Sequence, residues 1–209
     1  MVKAEFIDAI FGQFLPELKK KFTIRKLSLL AKLSYDAAYR HIHHLINEGA
    51  LKEEKVGAYS YVSINFESSL ARKIVERISL GRTRRFMKKD IVMKKMLDEL
   101  VTGLEKAAPN ELLSVALYGS HAKGTGTERS DVDIFVVVSD FGVREKVERA
   151  CSGVEKRYGK DIAPLITTAV EFKNMLKSEK PMVAHEILID GIVLYGYEKY
   201  YSIAFEAVK

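Results

Sequence analysis

The chain has one cysteine, Cys151, among 209 residues, with only 4 prolines and 13 glycines. A lone thiol excludes an internal disulfide and any zinc site built on cysteines. So little glycine and proline excludes a collagen-like or loop-dominated chain. No apolar run approaches the roughly 18 residues that span a bilayer, and the opening Met1-Val2-Lys3-Ala4-Glu5-Phe6 has no signal-peptide pattern. A soluble cytoplasmic protein with no membrane partner is expected. What is present is ordinary globular composition, 47% hydrophobic and 30% charged, in a length that suits one to two domains at about 150 residues each.

The net charge of +6 is unevenly spread. Residues 1–85 carry 16 basic and 9 acidic side chains, a net of +7, and residues 86–209 carry 18 and 19, a net of −1. Excess charge confined to one part suits a polyanion partner, because each phosphate neutralised releases counterions. A solubilising surface has the same composition, so the pattern beneath the charge has to decide.

Residues 2–15 place Phe6, Ile10 and Phe14 on one helical stripe with Ile7 and Phe11 beside it, and Pro16 closes the segment. Thr23 is a cap for a short helix with Ile24, Leu27, Leu30 and Ala31. Ser34 caps the next, Tyr35 to Glu48, which buries Ala38, Ile42, Leu45 and Ile46 and stops at Gly49. Strands at 51–56 and 59–65 turn around Gly57-Ala58. Three helices and a hairpin in this order predict a winged helix-turn-helix over 1–66. The stretch Ser34 to Leu51 resembles the recognition helix and first strand of bacterial and archaeal winged-helix regulators. Asp36, Tyr39, Arg40 and His43 share the face opposite the core stripe. On such a face Arg40 reads guanine while Tyr39 and His43 bond phosphate, making DNA the expected partner. The same module also packs on a neighbouring domain or a twin subunit. His41, His43 and His44 are spaced for a metal, but no Cys is near and only Asp36 or Glu48 lies within about a turn.

A helical connector is expected over 67–108. Its first helix (67–80) carries Leu70, Ile74 and Ile78, and the basic run Arg82-Thr-Arg-Arg-Phe-Met-Lys-Lys follows, suited to phosphate or to a solvated face. The second, about 88–106, carries Val92, Met96, Leu100 and Leu104 with Ile91, Met93 and Leu97 alongside. These faces need a partner, and a homodimer is one way to cover them. Pro109-Asn110 marks the boundary of the domain at 109–209.

Within that domain the apolar strand Leu112 to Tyr118 leads into Gly119-Ser120-His121-Ala122-Lys123-Gly124. Six further residues lead to Asp131-Val132-Asp133-Ile134-Phe135. In a strand Asp131 and Asp133 project together while Val132 and Ile134 face the core. Two carboxylates held side by side repel unless a cation sits between them, and hard oxygen ligands suit Mg²⁺ or Mn²⁺. Gly119 permits close backbone approach, and nearby N–H groups with the Ser120 hydroxyl suit a phosphate. Metal and phosphate together point to nucleoside triphosphate chemistry.

The pattern Gly119-Ser120-x-Ala122-x-Gly124 followed by Ser130-Asp131-x-Asp133 resembles the signature of the DNA polymerase beta-type nucleotidyltransferase superfamily, most closely its minimal members from archaea and bacteria. The resemblance implies an α/β (α+β) fold with a small mixed sheet flanked by helices. It also implies two divalent ions, and a hydroxyl attacking the alpha phosphate of a nucleoside triphosphate. Asp131 and Asp133 would bridge the metals, and Gly119, Ser120, Lys123 and Ser130 would bind the triphosphate. A third carboxylate on a neighbouring strand would help activate the hydroxyl; Asp161 is the candidate and Glu171 the reserve. His121 meets phosphate or water, and Cys151 reads as a small packing residue. Glu186 to Gly196 reads as a hairpin turning at Asp190-Gly191, with a closing helix from Glu198 to Val208. Two functions remain open: a transferase acting on an unknown hydroxyl, a protein partner's among them, or a DNA-binding regulator that senses nucleotide or docks a partner without turnover.

Overall fold

The computed structural model describes residues 4–208. It divides into two compact units, one built from the chain up to Ile78 with Val208, the other from Ser79–Ala207.

In the first unit, α1 (Ala4–Phe11), β1 (Phe22–Thr23), α2 (Ile24–Leu30), α3 (Tyr35–Asn47), β2 (Leu51–Val56) and β3 (Tyr59–Ile64) follow in order. The Thr23 hydroxyl accepts the Lys26 N–H at 3.2 Å, and the Ser34 hydroxyl accepts that of Ala37 at 3.3 Å, so each helix starts on its own side-chain cap. Gly49, with φ of 72°, takes the left-handed turn that ends α3. The strands form one antiparallel sheet in the order β1-β3-β2, with Phe22 opposite Val62 and Leu51 opposite Ile64. Phe11, Phe14, Leu27, Ile42, Leu45, Val62 and Ile64 are all buried, and Phe14 meets Phe11 and Phe22 at 6.3 and 5.1 Å between ring centroids.

α4 (Ser69–Met87) contains the division between the units. After it come α5 (Ile91–Ala107), β4 (Leu112–Leu117), α6 (Gly119–Lys123), β5 (Val132–Val138), α7 (Arg144–Tyr158), β6 (Ile162–Thr168), α8 (Ala169–Lys177), α9 (Val183–Asp190), β7 (Ile192–Tyr195) and α10 (Tyr197–Val208). The second unit's sheet is mixed, in the order β6-β5-β4-β7, with β5 and β6 parallel and the other pairs antiparallel. On one face Leu97, Leu100 and Leu104 of α5 and Val147, Cys151 and Val154 of α7 pack on Val132, Ile134 and Val136. Cys151 is indeed a packing residue: burial first, then Glu155 and Glu148, push its thiol up to about 12. Phe135, on the opposite face, meets Phe172 of α8 at 5.0 Å between ring centroids, and Phe172 meets Tyr200 of α10 at 5.3 Å. Among the described residues, no helix is long and apolar enough to cross a membrane.

Several expectations need correction. The first helix gives way at Phe11, ahead of Pro16, because Gly12 follows and glycine is among the costliest helix-interior residues. Residues 2 and 3 of that expected helix lie outside the described residues. The connector 67–108 is not a separate piece: the boundary falls within α4, and α5 belongs to the core of the second unit. The apolar faces at 70–78 and 92–104 are largely covered within the chain, with Ile74, Met96, Leu97, Leu100 and Leu104 buried. Leu70, 36% exposed, and Ile91 and Val92, 70% and 67% exposed in the first turn of α5, are the exceptions. The hairpin at 186–196 is replaced by α9 and β7, with Ala184 and Ile187 at helical spacing in the core. Gly191 ends α9 where a β carbon would stand 3.0 Å from Ile187 Cγ2 and closer still to its carbonyl oxygen. β7 then pairs with β4 instead of folding back on its own neighbour.

Candidate active site

β4 ends at Leu117, and the chain turns sharply because the Tyr118 N–H donates to the Asp133 carbonyl oxygen of the neighbouring strand at 2.9 Å. Gly119 follows with φ of 68°, a conformation open to glycine and strained for other residues. Its missing side chain is filled by the Asp133 carboxylate: a β carbon on Gly119 would stand 2.8 Å from Asp133 Cγ. The Gly-Ser turn and the acidic strand are therefore one interlocked structure. Ser120 lies in α6, a single short helical turn, and its carbonyl oxygen accepts the N–H groups of Thr125 and Gly126 at 3.0 Å each.

The loop between turn and strand is tied down at several points. His121 Nε2 lies 3.1 Å from the Ser130 carbonyl oxygen, and its ring fills the space where a Gly126 side chain would go. The Ser130 hydroxyl accepts the Thr127 N–H at 3.0 Å, and Lys160 Nζ donates to the carbonyl oxygens of Thr127 and Glu128 at 3.2 and 2.8 Å. Ser130 thus shapes this loop. Asp131, exposed, and Asp133, half-buried, follow on one side of the strand, while Val132 between them is fully buried.

The acids of the site act on one another electrostatically. Burial and the Asp131 carboxylate hold Asp133 above its ordinary carboxylate value, Glu186 adds to the rise, and His121 opposes it. Burial, then Asp133 and Glu186, likewise push the Tyr118 hydroxyl up. Glu186 on α9 forms an ion pair with Lys123, whose ammonium is pushed up chiefly by that bond.

Sequence reasoning missed Glu186 because 186–196 reads as a hairpin, where the i, i+3 spacing of Ala184 and Ile187 was the available signal; it missed Tyr118 because that residue reads as the end of the apolar strand that starts at Leu112. Asp161 stands just before β6, and its carbonyl oxygen accepts the Val132 N–H at 2.8 Å. Among the described residues, no three His, Cys, Asp or Glu side chains are grouped to hold a metal, so Asp161 is not assembled with Asp131 and Asp133. Glu171 is engaged elsewhere, its carboxylate accepting the Thr168 N–H and the Thr167 hydroxyl at 3.1 Å in a capping box.

On α3, Tyr39 and Arg40 are exposed and His43 half-buried. Tyr39 lies 6.1 Å from Tyr35 and 4.2 Å from His43 between ring centroids, a row of rings at i, i+4 and i+8. His41 turns the other way, stacking on Phe6 at 4.7 Å, where burial, then Arg40 and His44, lower its ring's pKa. The three histidines are thus split between faces and not gathered as ligands.

Residues 103–200 match the family described as "Polymerase beta, Nucleotidyltransferase". The chain is also 28% identical over 123 residues, 56% of its length and 82% of the relative's, to a Methanocaldococcus jannaschii protein named "Putative protein adenylyltransferase". No solved structure matches. Both likenesses support a nucleotidyltransferase-like domain and nucleotidyl transfer in general.

Proposed function

We propose that the second unit moves a nucleoside monophosphate from a nucleoside triphosphate to a hydroxyl, and that the first unit is a winged helix-turn-helix that brings it to DNA. The observation that carries the first part is the interlock of Gly119 with Asp133, which sets a close backbone approach against a strained acid pair. Asp131 and Asp133 suit a hard divalent ion, because two like charges on one strand face are relieved by a cation. Mg²⁺ or Mn²⁺ held there would neutralise charge on the phosphates. Ser120 and the backbone around Gly119 would hold the triphosphate, with Lys123 released from Glu186 to meet it. The acceptor oxygen forms a bond to the alpha phosphorus, the bond to pyrophosphate breaks, and the hydroxyl proton leaves to a base. The name of the Methanocaldococcus relative puts a protein hydroxyl first among the acceptors to test.

A second reading has one observation in its favour. Asp161 stands apart from the acid pair, which suits a regulator that binds nucleotide and DNA without turnover. Transfer of label from an alpha-labelled triphosphate, run with Mg²⁺ or Mn²⁺ on wild type, Asp131→Asn/Asp133→Asn and Asp161→Asn, separates the two. Transfer lost in the double variant supports the enzyme. Metal-dependent nucleotide binding with no transfer to any acceptor supports the regulator, and no binding at all removes both nucleotide readings. Loss in Asp161→Asn with nucleotide binding intact would give that residue the third carboxylate's role.

A further inference from the structure

The basic run at 82–89 takes no part in the site above, and the fold divides its members between two tasks. Arg82 is structural: its guanidinium donates to the carbonyl oxygens of Ile189 and Asp190 at 2.9 and 3.0 Å, closing the end of α9. Thr83 is buried and donates to the Val193 carbonyl oxygen at 2.7 Å, tying α4 to β7. Arg84 and Lys88, four residues apart, do neither. They line a cavity of about 580 Å³ whose apolar part is Met87, Ile91 and Leu194. That volume lies in the range of pockets for small organic ligands.

The charges around the cavity do not cancel. Lys94 is neutralised by Asp98 at 2.5 Å, but Arg84 and Lys88 have no acidic partner among the described residues, which leaves about two positive charges. A helix C-terminus favours basic side chains, and Arg85 in the same turn, outside the cavity lining, serves that need. It does not explain why two further cations border an apolar floor, nor why Ile91 is 70% exposed beside them. An anion alone would leave Met87, Ile91 and Leu194 in water, and an apolar ligand alone would leave the cations unmatched.

We propose that this cavity binds a phosphate monoester carrying an apolar or aromatic body, about as large as a mononucleotide. A monoester carries about −1.5 to −2 charges at neutral pH, matching the two free cations. The Arg84 fork grips two phosphate oxygens, Lys88 supplies a point charge, and the polarisable Met87 adapts to a flat body. None of the lining residues belongs to the Asp131–Asp133 cluster, so this site stands whether or not the transferase reading holds.

The test is calorimetric titration of the full chain with 1-naphthyl phosphate in EDTA, which silences any divalent-ion site. Saturable one-to-one binding is expected. Arg84→Gln/Lys88→Gln should raise the dissociation constant at least tenfold and Ile91→Asp at least fivefold, both with unchanged melting because the three side chains are exposed. Asp131→Asn/Asp133→Asn should leave it within twofold. Inorganic phosphate should bind at least tenfold more weakly, and 1-naphthol should not bind. The site would be overturned by no saturable heat, by equal affinity for inorganic phosphate, or by binding indifferent to Arg84 and Lys88. Saturable binding of a short acidic peptide with none of naphthyl phosphate would also overturn it, and would assign the cavity to a protein partner.

Discussion

The Asp133 carboxylate occupies the space where Gly119 lacks a side chain, 2.8 Å from Cγ to a β carbon placed there, while Tyr118 bonds the Asp133 carbonyl oxygen at 2.9 Å. An alanine at 119 has to displace that carboxylate and hold a φ of 68° as well. The backbone strain alone costs about 1–2 kcal/mol, or about 2–8 °C for a chain of this size. Gly119→Ala should therefore melt several degrees lower and lose any metal-dependent stabilisation by triphosphate. Gly153 in α7 is the control, because nothing lies within 4 Å of a β carbon there. Gly153→Ala should melt no lower than wild type, since alanine gains about 0.5–1 kcal/mol in a helix interior. Equal melting of Gly119→Ala and wild type would show that the turn does not depend on the missing side chain.

Asp133 gives a pH signature with a definite sign. Its folded value is raised above 3.8 by burial and by Asp131, so the protonated carboxyl is the form the fold favours. The stability it contributes is complete below 3.8 and is lost as pH rises through the raised value. At neutral pH, without metal, the ionised pair is a burden. Asp133→Asn should then melt higher than wild type at pH 7 and converge with it at pH 3. Mg²⁺ should stabilise wild type at pH 7 and leave the variant unmoved. The check is a melting series from pH 3 to 8 with and without Mg²⁺. A variant less stable than wild type at neutral pH in EDTA would contradict the repulsion argument.

How much of this was legible from residues alone depends on the range of the interactions. Caps at Thr23 and Ser34 and the stop at Gly49 are decided within a few residues and were readable. The core of β5 was readable too, because Val132, Ile134 and Val136 alternate with Asp131, Asp133 and Phe135 along one strand. What failed depended on distant partners. The 186–196 segment passes for a hairpin because apolar runs flank Asp190-Gly191, and packing of Ala184 and Ile187 into the core makes 183–190 a helix instead. With that helix misread, Glu186 could not be placed beside Lys123. Topology makes Asp161 the candidate for a carboxylate on the neighbouring strand, but β6 begins at Ile162 and side-chain grouping is not set by strand order. Ile91 and Val92 share the apolar character of their stripe but precede its covered part.

The Lys123–Glu186 pair makes the third prediction. Both side chains are partly exposed, so solvent screens the pair and it adds little to stability. Glu186→Gln should therefore leave the melting temperature close to that of wild type. If Lys123 has to leave Glu186 to meet the triphosphate, removing the rival acid should tighten triphosphate binding up to about fivefold. Lys123→Ala should weaken binding, and Lys123→Ala/Glu186→Gln should bind no better than Lys123→Ala alone. Titration of the four proteins with one triphosphate at fixed Mg²⁺ measures this cycle. Tighter binding in the double variant than in Lys123→Ala would show that Glu186 acts through general repulsion instead of by holding Lys123.

On α3, base reading and phosphate contact by Arg40 leave different traces. The side chain is exposed and its Nε donates to the Asp36 carbonyl oxygen at 3.4 Å, a weak tether that a guanine edge readily replaces. If Arg40 reads a base, Arg40→Ala should cost about 1–3 kcal/mol on a preferred sequence and leave the dependence on salt nearly unchanged. If it meets phosphate, binding should weaken on all sequences alike and the logarithmic salt slope should fall by about 1. The expected outcome is the first, because the proposed phosphate contacts on this face fall to Tyr39 and His43, whose rings are 4.2 Å apart. Tyr39→Phe should then weaken binding on all sequences by a similar small factor. Retention of wild type and Arg40→Ala on genomic fragments across a salt series decides between them. Equal retention at every salt would remove α3 from DNA recognition and leave its row of rings to a protein surface.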